Sequence, residues 1–180
     1  MMEFVYKEPN FYNVVFYPSA TWKSLLGQRN FFKAIVLYFF CQFSQLIGLS
    51  IFHREIFLML PLFFINWILT VSIYHFTARA VGGGGDILSL FYLWAFTEIP
   101  LLFFPPAIIF IKMVGGGIVL LFLFFVCIYL WSFVLKIKAV QQVYYLSSLV
   151  AFMVLVFPPL ILSFLTALSF LIYGVSFILW

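Results

Sequence analysis

The chain has 180 residues, 67% of them hydrophobic and only 8% charged, with a mean hydropathy of +1.23. Soluble domains are about half apolar and about a quarter charged, so this chain lacks the polar surface to cover a soluble core, and a soluble globular enzyme is excluded. The net charge of +4 comes from nine Lys and Arg scattered along the chain, which form no patch for nucleic acid and read as membrane topology.

In chain order, the first thirty residues carry Glu3, Glu8 and Pro9 and have neither the basic start nor the apolar run of a signal peptide. Residues 1–30 are expected to form a cytoplasmic segment ahead of a single transmembrane domain at 31–180. Within that segment Pro18 suits a first helical turn, and Trp22, Leu25 and Leu26 recur at i, i+3 and i+4. That pattern predicts a short amphipathic helix at the cytoplasmic interface or, equally, a helical lead-in to the first span.

A spanning helix needs about 20 mostly apolar residues. By that ruler the spans fall at about 31–52, 56–76, 87–111, 117–135 and 146–171, an all-α polytopic bundle of five transmembrane helices in the lipid bilayer. His53, Arg54 and Glu55 make the first turn. Residues 77–86 make a loop with Gly82, Gly83, Gly84 and Gly85 in a row, 112–117 a second glycine-rich turn, and 136–142 a polar hinge. With the N-terminus in the cytoplasm, Lys7, Lys23, Arg29, Lys33, Arg79, Lys136 and Lys138 lie inside and only Arg54 and Lys112 outside, as the positive-inside tendency asks. From Val143 to Trp180 no residue carries a formal charge for 38 residues, too long for one straight span. Pro158 and Pro159 are expected to drive Phe157 out of the α region and kink this helix, with an interfacial tail held by Tyr173 and Trp180. A sixth span after Pro159 is the alternative.

Glu98 is the one carboxylate well inside a span, about 17 Å along it from Ile87. A mid-helix charge costs about 2.5 to 3.5 kcal/mol on the insertion scale, and the eleven Leu, Ile and Phe between Ile87 and Phe104 offset it at roughly −0.3 to −0.6 kcal/mol each. The segment therefore inserts with Glu98 present. Two roles follow: a structural group bonded to Asn66, Thr97 or a carbonyl freed by Pro100, which is preferred, or a proton or ion relay. Further helix kinks are expected at Pro105 and Pro106. The segments beginning Phe104-Pro105-Pro106 and Phe157-Pro158-Pro159 echo each other faintly, as broken helices in transporter repeats do.

The glycine run is no phosphate loop, since Asp86 and Ile87 follow where Lys and Ser or Thr would be needed. It reads as a flexible turn between Arg79 and Asp86, with Asp86 capping the next helix. His53 and His75 stand alone at span ends, and Cys41 and Cys127 are expected to be buried structural thiols. No metal, cofactor or catalytic set is expected, and the chain reads as no enzyme. The small residues at 115–117 permit close helix approach, hence self-association.

Taken together, the Pro18-x-x-Thr21-Trp22 segment, five spans, a glycine-rich loop leading into a helix with a central Ile99-Pro100, and a Trp131 helix followed by a polar hinge resemble the Yip-domain family of multi-spanning membrane proteins. The resemblance runs over roughly residues 11–170. It implies the fold and membrane address, with a role in organising membrane or partner proteins. Eukaryotic members bind Rab-type GTPases in vesicle traffic, but their Asp-Leu-Tyr-Gly-Pro motif is absent here. The resemblance thus implies a short prokaryotic-type member without that basis for GTPase binding. A small transporter or permease subunit using Glu98 and the proline-broken helices is the alternative.

Overall fold

The computed structural model describes Asn13, Phe16 and residues 18–27, 30–50, 60–115 and 117–179, with side chains for all of these but 19, 20, 49, 50, 60 and 170–179. The turn expected at His53, Arg54 and Glu55, the side chain of Tyr173 and the whole of Trp180 lie outside it. The described chain is all-α: α1 Pro18–Gly27, α2 Phe31–Ser50, α3 Leu60–Ala80, α4 Ile87–Thr97, a 3-10 turn Ile99–Phe103, α5 Phe104–Met113, α6 Ile118–Tyr144 and α7 Ser148–Leu179. Five helical segments, with α4 through α5 as one, are long and apolar enough to cross a membrane.

The third segment is the centre of the bundle. In its apolar 18-residue stretch 67% of residues are buried, against 17% in the corresponding stretches of α3, α6 and α7. Around it, α4 packs on α2, α3 and α6, while the 3-10 turn and α5 pack on α2 and α6. Gly48 on α2 allows one such approach, since a Cβ there would meet the Phe104 ring at 2.7 Å. The outer faces of the surrounding helices carry exposed Phe, Leu and Ile, the surface expected of helices whose solvent is lipid.

Several local expectations change. α1 forms where expected, but Trp22 and Leu25 are buried in the core as α1 packs on α4 and α6; its apolar face meets protein rather than the membrane interface. The hinge at 136–142 does not exist: α6 continues 27 residues to Tyr144, because Leu135, Ala139, Val140 and Val143 extend its buried stripe and keep the last turns packed. α3 likewise runs past Phe76 to Ala80.

The two proline pairs behave differently. Pro100 opens the 3-10 turn and Pro105 and Pro106 open α5, so the third span is broken into three pieces. Pro158 and Pro159 lie inside a continuous helix of 32 residues. Phe157 stays helical, contrary to the expectation, and the helix continues through the proline pair to Leu179.

Candidate functional site

Two places bring polar groups together. The first is where α4 ends. Glu98 follows its last residue, and burial of the Glu98 side chain inside the bundle requires a partner for the carboxylate. That partner is Lys136 of α6, whose Nζ is 2.9 Å from Glu98 Oε1. The ammonium also stands over the Trp94 ring, 5.3 Å from its centroid, a cation–π position that adds to the pairing. Trp94 in turn stacks on Tyr74 of α3 at 5.2 Å.

Thr97 is beside Glu98 but turned into its own helix, its Oγ1 donating to the Trp94 carbonyl at 2.7 Å. Its carbonyl, left without an α-helical donor because Leu101 N–H bonds Glu98 O instead, accepts from Ser132 Oγ at 2.9 Å. A neighbouring helix thus satisfies the backbone that the break releases. Asn66 does not join this site. It is exposed on α3, where its Oδ1 accepts from Thr70 Oγ1 at 3.4 Å, and it lines a groove with α7.

Sequence reasoning missed Lys136 because it ended the fourth span at Leu135, and it passed over Ser132 inside that span. The signal was present: Lys136 sits between Leu135 and Ile137, four residues after Ser132, so continuing the helix puts both on neighbouring turns of one face.

The second place is the glycine loop. Residues 81–86 connect α3 to α4 and lie against the end of α6. Gly83 N–H donates to Ala78 O at 2.9 Å, Gly84 N–H to Tyr144 O at 3.4 Å, and Arg79 Nη1 to Gly83 O at 3.3 Å. A Cβ at Gly85 would overlap the Val143 carbonyl, and one at Gly83 would stand 2.9 Å from Tyr144 Cβ. Only Gly82, at φ +89°, needs glycine for its backbone. The expected flexible turn is therefore a docked one, with glycines that admit close backbone approach. Asp86 caps α4: its Oδ1 accepts from Ser89 N–H at 2.7 Å and its Oδ2 from Ser89 Oγ at 2.6 Å, as expected of an N-cap. His75 is not a lone interfacial histidine, since its Nδ1 is 2.6 Å from Tyr144 Oη. The outer face of the loop presents Arg79, Val81, Gly82, Gly84 and Asp86, next to exposed Tyr145.

The remaining candidates separate. Cys41 is buried but Cys127 is exposed on α6, so the second thiol faces the bundle exterior. Gly115 and Gly117 have open space around them and bring no helices of this chain together. The echo around the two proline pairs is not structural, since one opens a helix and the other lies within one. Among the described residues, no three His, Cys, Asp or Glu converge as a metal site would require. Comparisons with protein-family models, with curated proteins and with solved structures return no match to this chain.

Proposed function

We propose that this chain is a non-enzymatic membrane scaffold of Yip type, organising membrane or partner proteins through its helix faces and the exposed side of the 81–86 loop. The observation that carries this reading is the Glu98–Lys136 pair, 2.9 Å across. Each charge is neutralised by the other, and the pair ties α6 to the end of α4 in the packed centre of the bundle. Glu98 is buried, and the groove that has Lys136 in its wall does not have Glu98 there, whereas a relay needs water or substrate at its titrating group. The docked loop supports the same reading, because a loop held on α6 presents Arg79 and Val81 with little ordering cost on binding.

The proposed orientation keeps the N-terminus and the glycine loop in the cytoplasm of a prokaryotic cell. With Lys136 withdrawn into the bundle, the basic residues divide six inside to two outside, still the sense the positive-inside tendency requires. A reporter active only in the cytoplasm, fused after Trp180, should be silent; an active one reverses the orientation. No GTPase partner is part of the proposal.

The transporter reading keeps one supporting observation, the three-piece third span beside an ion pair, a feature transport folds use. Reconstituted vesicles separate the two. The scaffold reading expects proton and ion flux no greater than in empty vesicles, and proteins crosslinked in native membranes at Val81 and lost when the loop is altered. Flux that disappears in Glu98→Gln would replace it with the transporter.

A further inference from the structure

The two ends of the bundle differ in charge. Among the described residues one end carries Lys112 alone, in the last turn of α5. At the other end, besides Lys136 that Glu98 neutralises, each of the four helices packed on α4 brings one basic residue: Lys23 on α1, Lys33 on α2, Arg79 on α3 and Lys138 on α6. Arg79 bonds the loop at Gly83 O. Lys138 stands six residues before Tyr144, whose carbonyl receives Gly84 N–H. Lys33 follows Phe31, whose ring is 6.1 Å from that of Tyr92 in α4. Lys23, Lys33 and Arg79 are exposed and Lys138 is half-buried. The one described acid at this end is Asp86, and Ser89 holds both of its oxygens. The excess positive charge is therefore spread around a perimeter, one residue per helix, rather than gathered on a single face.

The depth of these charges selects the partner. α6 has 27 residues and is about 40 Å long, close to a full bilayer with its headgroups, whereas the hydrocarbon core is about 30 Å. Headgroups thus meet about the last 5 Å of α6 at either end. Lys138 leaves α6 about 9 Å short of Tyr144, but its Nζ is directed towards that end and donates to Gln141 Oε1 at 3.2 Å. Ser148 Oγ of α7 donates to the same oxygen at 3.2 Å. An apolar stem that carries its ammonium to the interface is snorkelling, and what stands there is lipid phosphate. An acidic protein docking on the end of the bundle would need positive charge on the end face, where the loop instead presents Arg79 and Asp86, which are of opposite sign.

We infer that this rim binds phospholipids of net negative charge, whose headgroup phosphates stand against Lys33, Arg79 and Lys138 around the perimeter of the bundle. Zwitterionic lipids carry the same phosphate with a compensating cation, so net charge decides which lipid is retained. This does not depend on the function proposed above, since a scaffold or a transporter would hold the same lipids.

The test is native mass spectrometry of full-length protein released from vesicles of equal phosphatidylglycerol and phosphatidylcholine. Phosphatidylglycerol should be retained over phosphatidylcholine by about fivefold, the scale of one basic residue at an anionic surface. Lys33→Gln, Arg79→Gln and Lys138→Gln together should bring the ratio close to one. The charge-keeping set Lys33→Arg, Arg79→Lys and Lys138→Arg should preserve it, and Lys112→Gln should leave it within about twofold. All three side chains are outside the core, so helical content should be unchanged. Equal retention of the two lipids, a ratio unmoved by the triple substitution, or an equal loss in Lys112→Gln would each overturn the inference. Displacement of phosphatidylglycerol by glycerol phosphate would overturn it in favour of a soluble anion, and displacement by polyglutamate in favour of an acidic protein.

Discussion

The third and the last spans carry the same chemistry, proline pairs in nearly uncharged apolar sequence, and fold differently. In the third, Pro100 is buried and the α-helix gives way to a 3-10 turn and a new helix at Phe104. In the last, Pro158 and Pro159 sit in unbroken α-helix whose following residues, Leu160, Ile161 and Leu162, face outward. The difference lies in what surrounds the backbone. Around Thr97 the neighbouring α6 supplies Ser132 to the released carbonyl. Around Phe157 no described side chain donates to the α7 backbone, the groove's Thr70 and Thr77 bonding within α3 instead, and leaving the helix there would strand further polar groups beyond those the prolines already strand. A proline pair therefore breaks a membrane helix where a partner is at hand and is absorbed where none is.

The comparison can be broken most severely at the ion pair. Lys136→Met leaves Glu98 without its partner in the packed centre and should lower stability by about 3 to 5 kcal/mol, read as a shift in the denaturation midpoint in mixed micelles. Glu98→Gln combined with Lys136→Met should recover most of the loss. A single substitution as mild as the double would mean that the pair does not anchor the break.

Packing gives the next contrast. Leu93→Ala, at a fully buried position in α4, should cost about 2 to 4 kcal/mol through the cavity it leaves. Leu162→Ala, on the outward face of α7, should cost less than about 0.5 kcal/mol, since lipid fills the space. Equal losses in thermal melts would erase the distinction between central and peripheral spans.

At the loop, Gly85→Ala places a methyl against the Val143 carbonyl and should cost about 1 to 3 kcal/mol by overpacking. Faster amide exchange at Gly83 and Gly84 would report the undocking. Unchanged exchange would return the segment to a flexible turn.

The smallest effect belongs to the prolines of the last span. Pro158→Ala with Pro159→Ala restores two helix hydrogen bonds without altering a broken backbone, and should stabilise by about 1 kcal/mol or less. Replacing Pro105 and Pro106 with Ala should be near neutral for another reason, since they open α5, where proline is accommodated. A large loss at Pro158 and Pro159 would reveal a kink with a structural purpose.

The sequence by itself determined the all-α class and the five helices long and apolar enough to cross a membrane, because hydropathy adds residue by residue along a segment and needs no knowledge of neighbours. It also placed the α4 cap at Asp86 and the buried face of α1 at Trp22 and Leu25, both local patterns. Only the tertiary structure decided which prolines break a helix, that Lys136 continues α6 and pairs with Glu98, and that the glycines dock on Val143 and Tyr144 while Asn66 faces the bundle exterior. These outcomes share one cause. In an apolar solvent every released carbonyl and every charge must be answered by another group, and which helix supplies that group is a property of packing between segments far apart in the chain.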